Sequence, residues 1–269
     1  MTRLVERDVR DLTRELTEFE ERLRAATGGG MLDIAGDAWD QQAGEPELRA
    51  ARMAAVPISQ GEGFIPGFCE CVAAILGFVG CVPWVTRQPD VRGLQEAADA
   101  GAQAVFVADD LRFIALNLRT GACADDDPCT SRAYVAALEA AAGGLRGKPV
   151  AVLGFGPVGR AAAVRLLERG AEVLVVEPEG GRAAAAAALP TEVVPLSEAL
   201  DAVELLFDAT PAVDLVDAAW VRPGSVAAVP GLPSAFTAAA QEALGVRHIH
   251  EPLALGVVAM AVDVLRPRP

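Results

Sequence analysis

A glycine-rich turn is the clearest chemical signal in this sequence. It follows the apolar run VAVL, precedes a helical run and consists of Gly154, Phe155, Gly156, Pro157, Val158 and Gly159. In a G-x-G-x-x-G turn, the first glycine permits a tight bend, the second lets a phosphate approach the backbone and the third packs the helix on a sheet. The N–H groups at the helix start can bind phosphate oxygens. The turn therefore predicts a dinucleotide site.

An acidic residue stands where such a site requires one. Glu177 ends the next apolar run, and a carboxylate at that position accepts hydrogen bonds from the adenosine ribose and repels a 2′-phosphate. We therefore expect NAD as cofactor in preference to NADP, although Arg182 nearby is a possible phosphate ligand. Four residues after later apolar runs are predicted to border the nicotinamide: Thr210, Pro211, Pro230 and Glu251. The alternative is a glycine turn in a nucleotide-free fold, with ordinary strand-ending turns after it.

Few other side chains are available for catalysis. Lys148 is the only lysine and lies in a linker, so chemistry through a Schiff base is not expected. The only histidines, His248 and His250, share a predicted strand, whose alternation would point both to one face. An amine substrate suits this inventory, because Asp109 follows the strand AVFVA and could hold a cation. Asp109 would alternatively cap a turn.

Composition excludes several classes of protein. Asp and Glu outnumber Lys and Arg by 37 to 23, so no basic surface for nucleic acid is expected. No apolar run reaches the roughly 20 residues of a membrane span, and the charged first residues do not resemble a signal peptide, so we expect a cytoplasmic enzyme. The five cysteines contain no C-x-x-C pair, and we expect neither a disulfide framework nor a metal site.

The elements that must position these residues divide into two groups. An amphipathic helix is predicted at 4–26, as a packing element or a lid. The segments AAVPIS, CVPWVT and AQAVFVADD read as buried strands, with helices near 66–79, 90–100 and 131–142. A Gly-rich linker at 143–148 separates a predicted substrate domain, 1–146, from a Rossmann domain, 147–269. Strands of the latter are predicted at 150–153, 172–177, 192–195, 204–208, 225–229 and 246–250. The fold class is α/β, with a doubly wound parallel sheet.

Eight motifs follow one another along the chain. They are VPISQGEGFIPGF at 56–68, QPDVRGLQEAADAGAQ at 88–103, ADDLRFIALNLRTG at 108–121, DPCTSRAY at 127–134, the glycine turn, DATPA at 208–212, VPGLPSA at 229–235 and EPLALG at 251–256. In these motifs the sequence resembles the pyrrolysine synthase family, also called PylD. The similarity covers most of the chain after about residue 50, and its first-half motifs are the unusual ones.

The resemblance implies a specific reaction. Enzymes of this family use NAD to oxidise the terminal amine of L-lysine acylated on its ε-nitrogen by 3-methyl-D-ornithine, after which ring closure and loss of ammonia give pyrrolysine. The resemblance further implies a homodimer, a lid formed by the first helix, Asp109 as the catalytic residue that holds the amine, and a set of substrate-binding residues. That set is Leu4, Ser59, Asp109, Asn117, Asp126 and Thr130.

Two other functions fit the same residues. One is a different NAD-dependent dehydrogenase that acts on an amino acid or an imine. The other is a non-catalytic NAD-binding sensor, which would leave the Asp109 region without a role.

Overall fold

A computed structural model describes residues 6–40, 48–59 and 67–267. For residues 6–15 it describes the backbone only. The chain forms two compact units. The first contains residues 6–20, Met31–Thr130 and the segment from Leu253 onward. The second contains Glu21–Gly30 and Ser131–Pro252. These units do not coincide with the predicted domains, which divide the chain at 146.

The first unit is built on a five-stranded sheet with the order β2-β1-β3-β4-β5. Its strands are β1 (Arg52–Ala55), β2 (Val82–Val85), β3 (Ala104–Ala108), β4 (Phe113–Asn117) and β5 (Cys123–Asp125). Strand β1 runs parallel to β2 and β3, whereas β3, β4 and β5 form an antiparallel meander. Its helices are α2 (Met31–Asp37), α3 (Phe68–Phe78), α4 (Asp90–Asp99) and α10 (Ala254–Leu265), while α1 (Glu6–Thr27) and α5 (Asp126–Ala142) continue into the second unit.

Two parts of the first unit differ from the prediction. Helix α5 begins at Asp126 and not near 131, because Asp126 and Asp127 suit the first turn of a helix and Pro128 is tolerated there. The short strands β4 and β5 were not predicted. Strand β4 has an alternating burial pattern, but β5 has only three residues and therefore carries little sequence signal.

Helix α10 supplies much of the apolar interior of the first unit. Residues 254–264 are all buried, and the helix packs against α2, α3 and β4. A helix that is apolar on every face belongs inside a protein. None of the helices that the structure describes is long and apolar enough to cross a membrane.

The second unit confirms the predicted Rossmann sheet. Its six parallel strands have the order β11-β10-β9-β6-β7-β8. They are β6 (Pro149–Leu153), β7 (Glu172–Val176), β8 (Glu192–Val193), β9 (Leu205–Asp208), β10 (Val226–Val229) and β11 (His248–His250). The connecting α-helices are α6 (Pro157–Glu168), α7 (Gly180–Ala187), α8 (Leu196–Ala202) and α9 (Ala238–Leu244). In such a sheet the direction of winding reverses between β6 and β9, and ligands bind beyond the carboxyl ends of those strands.

Candidate functional site

The predicted glycine turn lies at that reversal point. Gly154 adopts a left-handed backbone with φ +88°, and an added Cβ would come within 2.8 Å of the Ala209 carbonyl oxygen. A Cβ at Gly159 would lie 2.1 Å from the Gly154 carbonyl oxygen. Both positions therefore require glycine for the fold itself. A Cβ at Gly156 would meet no atom within 4 Å. The second glycine thus faces open space, where the cofactor phosphates are expected.

The helix that follows the turn is suited to bind an anion. Gly156 occupies the N-cap of α6, Pro157 occupies the first turn, and no side chain caps the helix. The early N–H groups of a helix carry partial positive charge and have no intrahelical acceptor. Because no side chain covers them here, Val158 and Gly159 can present their N–H groups to a pyrophosphate. The residues therefore fit the predicted dinucleotide.

Glu177 follows β7 beside the glycine turn. Its side chain is only 4% exposed, and Oε2 accepts a 2.8 Å hydrogen bond from the Phe155 N–H. Oε1 accepts a 2.9 Å hydrogen bond from the Glu179 N–H. The Arg182 guanidinium lies 3.8 Å from Oε2 and is more than half exposed. This geometry holds a carboxylate where the adenosine ribose is expected and places the Arg182 guanidinium beside it.

The loops after β9 and β10 lie at the same edge of the second unit's sheet, because the two strands are parallel neighbours. Thr210 packs against the glycine turn, with its Cα 3.1 Å from the position of a Gly154 Cβ, and its Oγ1 accepts a hydrogen bond from the Ala212 N–H. Pro211 follows as an exposed residue, and Pro230 comes directly after β10. These residues lie at the carboxyl ends of their strands, as the sequence predicts.

Glu251 comes directly after β11 and is buried. Its carbonyl oxygen accepts a 2.5 Å hydrogen bond from the Tyr134 hydroxyl, and its N–H donates to the same hydroxyl over 3.1 Å. Tyr134 lies on α5 and is fully buried. The tyrosine therefore fixes the backbone of the loop that is expected to border the nicotinamide.

The two histidines point to one face of β11, as predicted, and their ring centroids lie 5.4 Å apart. His250 Nδ1 lies 2.8 Å from the Val229 carbonyl oxygen, and the His248 ring packs edge-on against Phe236. Burial, with a smaller effect of His250, lowers the pKa of His248 to about 4. Burial also lowers the pKa of His250. Both rings are therefore neutral at physiological pH and pack as structural groups.

In the first unit, Asp109 forms a tight turn between β3 and β4. Its Oδ1 accepts hydrogen bonds of 2.8 Å from the N–H groups of Leu111 and Arg112. These two bonds lower the pKa of Asp109, which is solvent-exposed. Asp109 thus caps the turn, which is the alternative role considered from the sequence. The same bonds keep the carboxylate ionised, so its charge is available to a cationic group.

Asp126 and Thr130 lie one turn apart at the start of α5. Thr130 Oγ1 donates a 2.8 Å hydrogen bond to Asp126 Oδ1. Gly256 of α10 packs against this pair, since a Cβ there would lie 2.3 Å from Thr130 Oγ1 and 3.2 Å from Asp126 Oδ1. Burial, with help from the charges of Asp127 and Asp125, raises the pKa of Asp126 to about 6. The structure therefore joins two of the predicted substrate residues and gives one the properties of a base.

Arg112 connects the two acidic regions. Its N–H donates to Asp109, and its guanidinium pairs with Asp125, the residue before Asp126. We call Asp109, Asp125, Asp126 and Asp127 the acidic cluster of the first unit. Within it, Asp109 has a lowered pKa and Asp126 a raised one.

Ser59 lies after β1 and is held by Asp90 at the start of α4. The Asp90 carboxylate accepts hydrogen bonds from the Ser59 N–H, over 2.9 Å, and from the Ser59 hydroxyl, over 2.5 Å. Both bonds lower the pKa of Asp90. Asp90 was not singled out from the sequence, although QPD before a helical run is a typical helix start.

Asn117 makes bonds within the first unit. Its Nδ2 donates to the Val264 carbonyl oxygen over 3.0 Å, and its Oδ1 accepts from the N–H groups of Arg119 and Thr120. The side chain therefore fastens the end of β4 to α10. Leu4, the remaining predicted substrate residue, lies outside the described residues.

Sequence reasoning did not assign a role to Asp208. This residue ends β9 within the DATPA motif and is completely buried, and burial raises its pKa to about 7. The signal available in the sequence was an aspartate at the end of the apolar run LLF. Among the described residues, no group of three or more His, Cys, Asp or Glu side chains is arranged to hold a metal ion.

Comparisons with known proteins match both parts of the chain. Residues 8–124 match the family described as pyrrolysine biosynthesis protein PylD, N-terminal domain. Residues 144–217 match the NADPH-binding domain of acetohydroxy acid isomeroreductase. Two solved structures share the fold at a TM-score of 0.50: quinate dehydrogenase from Corynebacterium glutamicum in complex with NAD, at 15% identity over 81% of this chain and 93% of that chain, and an Ael1 enzyme from Pseudomonas putida, at 16% identity over 80% and 92%.

Two pyrrolysine synthases are similar in sequence over both units. That of Methanosarcina barkeri is 31% identical over 80% of this chain and 81% of its own length. That of Methanosarcina acetivorans is 33% identical over 98% of this chain and 100% of its own length. With the Rossmann sheet, these matches make the chain an NAD(P)-dependent oxidoreductase. Since the similarity to the Methanosarcina acetivorans synthase covers 98% of this chain at 33% identity, the chain belongs to the pyrrolysine synthase (PylD) family.

Proposed function

We propose that this enzyme oxidises the terminal amine of L-lysine acylated on its ε-nitrogen by 3-methyl-D-ornithine, and that the product then closes to pyrrolysine. The match to the synthase of Methanosarcina acetivorans carries the proposal, because it extends over 98% of the chain and so includes both the glycine turn and the acidic cluster. The Rossmann fold alone would support many dehydrogenases equally well.

NAD is the proposed cofactor. A bound nicotinamide would accept the hydride that leaves the amine-bearing carbon. Glu177 supports NAD over NADP, because a buried carboxylate at the end of the second Rossmann strand would repel a 2′-phosphate. Arg182 beside it is already within ion-pair distance of Glu177. Gly156 and the start of α6 would hold the pyrophosphate.

The substrate amine must lose a proton before its carbon can lose hydride, since only the neutral amine has a lone pair to stabilise the positive charge that develops. Two carboxylates with pKa values shifted in opposite directions can divide the work of binding and proton transfer. We assign the binding of the ammonium to Asp109, whose pKa is lowered and whose charge is therefore permanent at neutral pH.

We assign the acceptance of the proton to Asp126. A carboxyl with a pKa of about 6 is mostly ionised at neutral pH and is a better base than an ordinary aspartate. Thr130 donates a hydrogen bond to Asp126 and orients the carboxylate. Ser59, Leu4 and Thr130 are proposed to bind the rest of the substrate, whereas Asn117 would act by fixing the backbone around the site.

Ring closure needs no nucleophile from the protein. Loss of one proton and one hydride converts the CH₂–NH₃⁺ group to an iminium. The α-amine of the ornithine part then attacks the iminium carbon, and one of its protons passes to the original nitrogen, which leaves as ammonia. The ring nitrogen releases its second proton, and a C=N bond forms within a five-membered ring. The protein must keep the chain folded back and keep water from the iminium. We propose a cytoplasmic homodimer, in line with the family resemblance.

A substrate comparison tests the proposal. The purified enzyme is given NAD with the lysine–ornithine amide, free ornithine, lysine or proline, and NADH absorbance is followed. We expect reduction of NAD with the amide alone, together with a product whose mass is that of pyrrolysine. Turnover of a free amino acid would identify a different dehydrogenase. NADH binding without turnover of any amine would indicate a sensor.

A further inference from the structure

Asp208 is a buried carboxylate that the proposed reaction does not use. It ends β9, is 0% exposed and is aligned with Leu153 at the end of β6. The next residue, Ala209, donates a 2.8 Å hydrogen bond to the Leu153 carbonyl oxygen. Asp208 therefore stands at the point where the sheet reverses its winding, directly beneath the crevice expected to hold the dinucleotide.

The two carboxylate oxygens of Asp208 bind two different loops. Oδ2 accepts a 2.7 Å hydrogen bond from the Ala235 N–H, in the loop after β10. Oδ1 accepts a 3.2 Å hydrogen bond from the Thr210 N–H, in the loop after β9. An asparagine would offer only one acceptor oxygen for these two donors, so the position specifically suits a carboxylate.

Holding a carboxylate in this place is unfavourable for the fold. Burial raises the pKa of Asp208 to about 7, against two backbone hydrogen bonds that lower it. A polar but uncharged group would be easier to bury. A local cost of this kind is typical of functional positions.

The two loops that Asp208 joins are those expected to border the nicotinamide. Thr210 packs on Gly154 of the glycine turn. Ala235 is itself anchored, since its carbonyl oxygen accepts hydrogen bonds from the N–H groups of Leu215 and Val216 over 2.7 and 2.9 Å. The carboxylate therefore sets the separation between the loop that rests on the glycine turn and the loop that begins at Pro230.

We propose that Asp208 is a positioning residue that holds the loops 209–212 and 230–235 at the separation required by the nicotinamide and its ribose. It acts through backbone N–H groups and does not touch the substrate. This inference rests on the proposed placement of the cofactor in the second unit. It adds a determinant of how the nicotinamide half is bound, distinct from the glycine turn and Glu177, which serve the adenosine and phosphate half.

The test compares two nucleotides that share one half. NADH contacts the whole crevice, whereas ADP ends at the phosphates, so their affinities report separately on the two halves. Wild-type enzyme, Asp208→Asn and Asp208→Ser are titrated with each nucleotide by calorimetry. Loss of one acceptor should weaken NADH about tenfold and leave ADP within about twofold, the effect of one lost hydrogen bond.

A matched control lies at the opposite end of the same sheet. Ser225 is 1% exposed, and its hydroxyl accepts a 2.9 Å hydrogen bond from the Arg222 N–H at the amino end of β10. Ser225→Ala should leave the ratio of the NADH and ADP affinities at the wild-type value. ADP binding also counts the folded protein in each sample, so partial unfolding cannot imitate the expected change in ratio.

The outcomes separate the inference from the function on which it rests. Equal weakening of both nucleotides by Asp208→Asn, or no change in either, would overturn the positioning role. Wild-type enzyme that binds neither nucleotide would overturn the cofactor site and the inference together. If wild-type enzyme binds NADH but does not oxidise the amide, the substrate assignment fails, and an altered ratio for Asp208→Asn still supports the positioning role.

Discussion

The first and third glycines of the turn serve the fold, and the second is the one proposed to serve the cofactor. This distinction predicts opposite effects for two substitutions of the same kind. A Cβ at Gly159 would lie 2.1 Å from a carbonyl oxygen of the backbone, which cannot move aside as a side chain can. A Cβ at Gly156 would meet nothing within 4 Å, and its φ of −69° suits any residue.

These contacts set the size of the expected changes in Tm and in NADH affinity. Overpacking of this kind costs about 1–3 kcal/mol, so Gly159→Ala should lower the Tm by roughly 2–12 °C in a protein of this size. Gly156→Ala restricts the unfolded chain without straining the fold, which is worth about 0.4–1 kcal/mol and should raise the Tm by roughly 1–4 °C. The methyl group would nevertheless stand where the pyrophosphate approaches. We expect NADH affinity to fall at least about tenfold, the loss of one or two backbone hydrogen bonds.

Thermal unfolding followed by circular dichroism gives the Tm of both variants, and titration of NADH fluorescence gives their affinities. For Gly156→Ala, the Tm should rise while the affinity for NADH falls. Wild-type affinity for NADH in this variant would refute the assignment of open space to the phosphates. If the Tm of Gly156→Ala fell as far as that of Gly159→Ala, the space around a Cβ at Gly156 would not be open.

Three further predictions concern the carboxylates. Glu177→Ser should reduce the preference for NAD over NADP by about tenfold or more, because Arg182 would then face a 2′-phosphate; the ratio of the two affinities measures this. The control is Glu179→Ala, which removes a helix cap and the other ion pair of Arg182 but keeps the Glu177 carboxylate, so the preference for NAD should remain. Asp126→Asn should slow turnover by about 10²–10⁴-fold and leave the affinity for NADH unchanged. In the wild type, kcat/KM should fall about tenfold per pH unit below the Asp126 pKa of about 6, since only the ionised carboxylate accepts a proton. A kcat/KM that does not change with pH would exclude Asp126 as the base. Asp109→Ala should raise KM for the amide, and an unchanged KM would place the ammonium elsewhere.

The sequence predicted the second unit well because its signals are local. Each strand is a short apolar run, each crossover is helical, and the glycine turn is confined to six adjacent residues. The acidic residue at Glu177 was found by its distance from that turn. These features are set by backbone geometry that many sequences share, so they can be recognised without knowledge of tertiary contacts.

The first unit was predicted less completely because its decisive contacts are distant in sequence. The Asn117 side chain donates a hydrogen bond to the carbonyl oxygen of Val264. The pair formed by Asp126 and Thr130 packs against Gly256. The raised pKa of Asp126 depends on burial, and burial cannot be read from a run of three aspartates. Asp208 was missed for the same reason, since its partner Ala235 lies beyond a complete strand.

The position of helix α10 in the chain has a consequence for how the protein is made. This helix ends the described chain, yet its buried residues belong to the interior of the first unit. Domains usually fold in the order in which the ribosome releases them. Here the nucleotide-binding sheet is complete when Pro252 emerges, whereas the portion synthesised earlier must wait for the last segment to close its core. Removal of α10 would therefore damage the unit whose sheet is translated first.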